Sequence, residues 1–184
     1  MLNFKRLPSK PCDMIKKLAS ITFLFTLLNT GVIFATESSG LTWYTNLDTV
    51  VTLSNESDKP IFGFFTGSDW CGWCMKLQRE VFAKQDFIDW AQKNVILLEL
   101  DFPRKTVQPD ELKTQNRNLQ QAFQVSGYPT IWIFTAAKDA VSQNFSLTAW
   151  GKLGYPAGAE TGKEEVKFLA EANKILDNNR TKKN

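Results

Sequence analysis

Histidine is absent from the 184-residue chain. Its absence excludes Ser-His and Cys-His catalytic dyads, imidazole general bases and histidine-based zinc sites in one step. Cysteine is scarce, with three residues at positions 12, 71 and 74. Tetrahedral zinc takes about four ligands, so with no histidine and so few cysteines a zinc centre within one chain is nearly excluded. Two thiolates remain sufficient for Cu(I). No internal repeat is visible, and no cysteine directly follows the N-terminal apolar run, which argues against a lipoprotein anchor.

A surplus of basic charge is also missing once the chain is divided. Lys16 and Lys17 precede an apolar stretch, Leu18 to Leu28, with a weaker continuation to Ile33-Phe34-Ala35 and then polar Thr36 to Gly40. The pattern predicts an export signal over residues 1–35, with Met14 an alternative start, and a linker over 36–40. An uncleaved membrane anchor is the competing reading, weakened by Ser20, Thr22, Thr26, Asn29 and Thr30. The whole chain has net charge +3, but residues 1–35 hold five basic residues and one acid, so the remainder has 17 basic against 18 acidic, a net −1. Nothing in that balance points to nucleic acid.

What is present centres on Ser68-Asp69-Trp70-Cys71-Gly72-Trp73-Cys74-Met75-Lys76-Leu77. An apolar run, Ile61 to Phe65, leads into it, and a helix is predicted to follow through Val81. Positions three apart share a helix face at roughly 5 Å between Cα atoms, inside the disulfide window. At a helix start, unpaired N–H groups and the macrodipole favour an anion. Cys71 is therefore the expected nucleophilic thiolate, and Cys74, one turn in, the more buried resolving thiol. Met75, Leu77 and Val81 are expected to continue the apolar side of the helix behind them.

The rest of the chain alternates. Leu41-Thr42-Trp43-Tyr44 reads as a short strand or an apolar lead-in. Leu47, Val50, Val51 and Ser54 recur at helical spacing behind Asn46 as N-cap. A polar loop is expected over 55–59. Ile61 to Thr66 is apolar on both faces, as a strand covered on both sides should be. Helix is predicted over Asp86 to Lys93, strand over Val95 to Leu100, and loop over Phe102 to Pro109. A helix over Asp110 to Phe123 places Leu112, Leu119, Ala122 and Phe123 on one side. Strand follows over Ile131 to Phe134, a turn over Ala136 to Ala140, and strand over Phe145 to Gly151. A loop spans Gly154 to Gly162, and the final helix, Lys163 to Leu176, carries Val166, Leu169 and Leu176. A polar tail, 177–184, completes one domain over 41–176. Alternating helices and strands imply an α/β fold with a small mixed central sheet flanked by helices.

Trp70-Cys71-Gly72-Trp73-Cys74 after an apolar strand, with Gly127-Tyr128-Pro129-Thr130 before another, resembles the thioredoxin superfamily. Within it, the exported thioredoxin-like proteins and the C-terminal domain of the DsbD type are similar, down to the Leu100-Asp101-Phe102-Pro103 turn. The resemblance implies a cis Pro129 beside Cys71, with the backbone of Tyr128 pairing with an extended substrate segment. It adds Trp70, Gly72 and Trp73 to the substrate-facing surface, Trp70 mainly packing and Trp73 mainly exposed. The buried acid that thioredoxins keep in the preceding strand falls near Phe64 or Phe65, and its lysine partner near Leu97, all apolar here. Proton transfer during release of Cys74 must then use another group or water; Glu99 and the more exposed Asp69 are the candidates, each also readable as an ordinary solvated residue.

The expected function is disulfide exchange with protein substrates in the cell envelope, in a bacterium the periplasm, with the reductase direction favoured. The expectation includes no cofactor beyond the Cys71–Cys74 couple, a separate electron-transfer partner, a monomer, and membrane contact only through an uncleaved signal segment. Two alternatives stand beside it: an interaction domain with a structural disulfide, or a Cu(I)-binding module.

Overall fold

A computed structural model of the chain describes residues 40–181. The expected export signal, the start of the expected linker and residues 182–184 lie outside the described residues. Among the described residues, no helix is long and apolar enough to cross a membrane.

Five strands form one sheet in the order β1-β3-β2-β4-β5. These are β1 (Trp43–Tyr44), β2 (Ile61–Thr66), β3 (Ile96–Asp101), β4 (Thr130–Lys138) and β5 (Phe145–Leu153). β1, β3 and β2 run parallel, while β4 is antiparallel to both β2 and β5. Among the described residues, five α-helices accompany them: α1 (Leu47–Ser57), α2 (Gly72–Leu77), α3 (Gln85–Asn94) and α4 (Asp110–Ala122) between strands, and α5 (Glu164–Arg180) after the last. α2 continues directly into a π turn, Gln78–Phe82, which buries both Val81 and Phe82.

The continuous apolar run of β2 follows from its central place, since every residue of that strand is buried. Its alternate side chains feed two cores, because successive Cβ atoms point to opposite faces. Phe62 and Phe64 join Cys71, Cys74, Leu77, Phe87, Trp90 and Phe168 under α2, α3 and α5. Ile61 and Phe65 join Val50, Leu98, Leu119 and Phe134 under α1 and α4. The cysteine pair thus rests on one face of the sheet, at the C-terminal end of its central strand.

α1 begins as its sequence implies: the Asn46 carboxamide accepts from the Thr49 N–H at 2.9 Å. Asn46→Ala should destabilise the domain by about 1 kcal/mol in chemical denaturation, the usual worth of such a cap. An unchanged midpoint would show that water replaces the side chain at no cost.

Several expected boundaries and faces move. α1 runs to Ser57, into the expected loop, and ends on Asp58 in the left-handed region (φ 52°). β4 continues through Ala136 to Lys138, where a turn was expected, because these residues pair with Leu147 to Phe145 of β5. Cross-strand pairing outweighs the weak strand preference of alanine. α5 continues to Arg180 because its polar end finds partners: Asn179 donates to the Trp150 carbonyl and Arg180 to Asn94. Its buried stripe is Phe168, Ala172 and Leu176, while Val166 is exposed. On α4 the buried residues are Asn116 and Leu119, and Ala122 faces solvent. Asn116 tolerates burial because its amide donates to the Asp101 carbonyl at 2.9 Å. Trp150 bulges from β5, and a methyl group on Gly151 would press on the Ile175 side chain of α5 at 2.8 Å.

Candidate active site

The turn from β2 to α2 folds back on itself. The Cys71 N–H donates to the Gly67 carbonyl at 2.8 Å, and the Trp70 N–H donates to the same oxygen at 3.2 Å. Gly67 is needed by close approach, since any Cβ there would overlap the Trp70 indole. Cys71 is the N-cap of α2, and its Sγ accepts from the Cys74 N–H at 3.2 Å. The two cysteines form a disulfide with their Cα atoms 5.2 Å apart. Cys71 retains slight exposure (6%) and Cys74 none. Sulfur at the cap position is thus met by a backbone donor that also stabilises a thiolate there.

Trp70 and Trp73 divide as their environments dictate. Trp70 is half-buried: its Nε1 donates to the Phe102 carbonyl at 2.8 Å, and its ring meets Tyr128 edge-on at 5.7 Å. The Arg104 guanidinium lies 3.7 Å from the centre of that ring. Trp73 is 58% exposed and Gly72 is open to solvent. Met75 is exposed too, against the expectation that it would help to cover the cysteines. The buried stripe is Cys74, Leu77 and Val81, which places Met75 a quarter turn out toward water.

Tyr128 and Pro129 stand at the start of β4, both half-buried, and the peptide bond between them is cis. The Tyr128 hydroxyl accepts from Gln120 at 2.7 Å, and its ring lies 5.2 Å from Phe102. Burial, and behind it the charge of Asp101, pushes the phenol pKa up.

Asp69 and Glu99 occupy contrasting settings. The Asp69 carboxylate accepts from three consecutive backbone N–H groups of the β3–α4 loop, Arg104 at 3.0 Å, Lys105 at 2.7 Å and Thr106 at 3.0 Å. Those hydrogen bonds, the Arg104 amide first, hold its carboxyl below the usual range. Asp69 is therefore a latch between the cysteine turn and the loop, not a freely solvated acid. Ser68 adds a second tie, donating through its N–H and hydroxyl to Asp101 at 2.8 and 2.6 Å. Glu99 sits on β3 opposite Phe64, on the sheet face that carries the cysteines. Burial, then the charge of Asp101, pushes its carboxyl up. It lines a cavity of about 640 Å³ with Phe64, Met75 and Gln78. No hydrogen bond joins it to either cysteine among the described residues.

The latch carries a pH expectation. Because the folded state lowers the Asp69 pKa, its contribution is complete above the unfolded value, roughly 3.9, and disappears as pH falls through the lower folded value. Asp69→Asn should speed amide exchange at residues 104, 105 and 106 at neutral pH. That difference from wild type should close at acid pH; a gap that persists there would remove the carboxylate's charge from the account.

Asn116, which donates to the Asp101 carbonyl beside the cysteine turn, carries no local motif. Only its position in the folded chain reveals it. Among the described residues, no group of three or more His, Cys, Asp or Glu side chains gathers as metal ligands would.

A five-stranded mixed sheet between helix layers, with a Cys-x-x-Cys disulfide capping the helix after the central strand, defines a thioredoxin-fold protein. The model of the thioredoxin-like domain family matches residues 47–142, and the chain belongs to that family. Disulfide bond reductase DsbH of Chlamydia pneumoniae is 40% identical over 78 residues, covering 42% of this chain and 47% of that protein. Thioredoxin-related protein DsbJ of the same organism is 27% identical over 169 residues, covering 91% of this chain and 47% of that protein. The chain spans about half the length of these curated relatives. Among solved structures, a DsbH oxidoreductase superposes with a TM-score of 0.60 at 26% identity, covering 75% of this chain and 85% of that one. A thioredoxin from Thermus thermophilus shares the fold, with a TM-score of 0.50 at 15% identity, covering 74% of this chain and 87% of that one.

Proposed function

We propose that the chain is a thiol–disulfide oxidoreductase acting on protein substrates, with Cys71 as nucleophile and Cys74 as resolving thiol. The observation that carries the reading is the seat of Cys71 at the cap of α2, where its sulfur accepts the Cys74 N–H. In the reductase direction the Cys71 thiolate attacks a substrate disulfide, forming a mixed disulfide and releasing one substrate thiolate. Cys74, as thiolate, then attacks Cys71 Sγ, closing the Cys71–Cys74 disulfide and releasing the second substrate thiol. Two electrons pass to the substrate, and a separate dithiol partner must restore the pair.

The half-buried Tyr128–Pro129 segment and exposed Gly72 and Trp73 form the surface on which a substrate strand would lie. A purely structural role suits the disulfide less well, because a bridge across three positions closes almost no loop and restrains the unfolded chain little. The name of the relative DsbH favours the reductase direction. We place the protein outside the cytoplasm, in the bacterial envelope, on the strength of the signal-like residues 1–35.

The test is reduction of insulin with dithiothreitol as electron source, together with the Cys71–Cys74 potential equilibrated against glutathione. A reductase should accelerate precipitation and poise nearer the roughly −270 mV of thioredoxin than the roughly −120 mV of DsbA. No acceleration over dithiothreitol alone would end the oxidoreductase reading, and a potential near the DsbA value would reverse the direction.

A further inference from the structure

One aromatic residue far along the chain closes onto the dipeptide between the cysteines. Tyr155, in the loop after β5, packs its ring against Trp73 at 5.1 Å between centroids, edge-on. Its hydroxyl donates to Glu80 Oε2 at 2.6 Å. Glu80 lies on the π turn that continues α2 and also accepts from Arg79 at 3.1 Å. The Lys76 ammonium sits 5.0 Å from the centre of the Trp73 ring, 4.8 Å from that of Tyr155 and 3.9 Å from Glu80. Trp73 is therefore in contact with a ring and a cation, each tied to the same carboxylate, while more than half of it stays open to solvent.

Such a large exposed indole would otherwise sample several rotamers beside the disulfide, and fixing one costs side-chain entropy whenever a partner binds. The ties to Tyr155, Lys76 and Glu80 settle that cost within the free protein. The phenol–carboxylate hydrogen bond is the first cause of a lowered Glu80 pKa, so the charged end of the tie persists at neutral pH.

We propose that Tyr155 is a positioning residue for substrate recognition: it holds Trp73 as a preformed wall beside Cys71, against which the substrate polypeptide packs. The inference rests on the oxidoreductase reading and adds a specificity element from a loop that carries no cysteine or proline of the motif. A small aliphatic disulfide such as 2-hydroxyethyl disulfide offers the wall almost no surface to pack on, whereas a protein disulfide brings a polypeptide that engages it.

The experiment compares Tyr155→Ala, Tyr155→Phe, Trp73→Ala and the Tyr155→Ala/Trp73→Ala double variant on insulin and on the small disulfide. Tyr155→Ala should raise KM for insulin about tenfold, with kcat and the small-disulfide rate within twofold of wild type, as expected for lost preorganisation. Tyr155→Phe keeps the ring and loses the hydroxyl, and should raise KM about threefold. The double variant should be no worse than Trp73→Ala alone, because the two residues act as one unit. Additive losses, or an unchanged KM in Tyr155→Ala alongside an active wild type, would overturn the proposal. Acrylamide quenching of Trp73, isolated by difference from Trp73→Phe, reads the same tie without turnover. It should increase in Tyr155→Ala, and no increase would overturn the positioning role. Wild-type inactivity on insulin would count against the oxidoreductase reading, while the quenching result would still decide whether Tyr155 holds Trp73.

Discussion

Cys71→Ser is expected to bring insulin reduction down to the rate of dithiothreitol alone. A serine hydroxyl at that cap still accepts the Cys74 N–H, so the helix start and the fold should survive. What vanishes is the sulfur that attacks, since only a thiolate displaces a thiolate from a disulfide. Cys74→Ser should behave differently. Cys71 can still attack, but nothing expels the captured substrate, so mixed disulfides should accumulate and resolve only with added thiol. The distinction is visible on a non-reducing gel after alkylation. It follows from burial, because Cys74 has no exposed surface and Cys71 retains some. Accumulation in Cys71→Ser in place of Cys74→Ser would exchange the two roles.

The second large effect is on stability. Phe62 is fully buried at the centre of the aromatic core beneath the cysteine helix. Its ring lies 5.8 Å from those of Phe82 and Phe87, 6.1 Å from Trp43 and Trp90, and 6.2 Å from Phe168. Phe62→Ala removes edge-to-face contacts with Trp43, Phe82, Phe87 and Trp90 and a tilted one with Phe168, and leaves a space that rings on β1, the π turn, α3 and α5 cannot all move to fill. The expected loss is about 3–5 kcal/mol, a large share of the roughly 5–15 kcal/mol that holds a domain folded. The melting temperature should fall by on the order of 10 °C. A loss below about 1 kcal/mol would mean that the cluster collapses onto the space, against the rigidity argued here.

Where the sequence proved legible, the signal was local. The cap at Asn46, the doubly buried β2, and the pairing of two sulfurs one turn apart each depend on residues within a few positions of one another. The reading faltered where partners are distant. Ala136 to Lys138 look turn-like alone, yet β5 holds them in the sheet. Met75 follows the apolar pattern of its neighbours, yet only the orientation of α2 over the sheet decides which residues are covered. Val166 was placed on the apolar stripe of α5, but the stripe is set by Phe168 docking among Phe62, Phe82 and Phe87.

The sequence alone determined the cysteine pair and its seat: a buried strand, a tight turn, and a helix that opens on one sulfur and carries the next one turn later. Those features follow from backbone periodicity and from the electrostatics of a helix end, which need no knowledge of the rest of the chain. Tertiary structure decided what surrounds the sulfurs. It brought Asp69 to loop amides 35 to 37 positions away and Tyr155 to Glu80 across 75 positions. Side-chain periodicity reports which face of an element is buried. Which residue meets it there depends on strand register and helix docking, settled only when the whole sheet assembles.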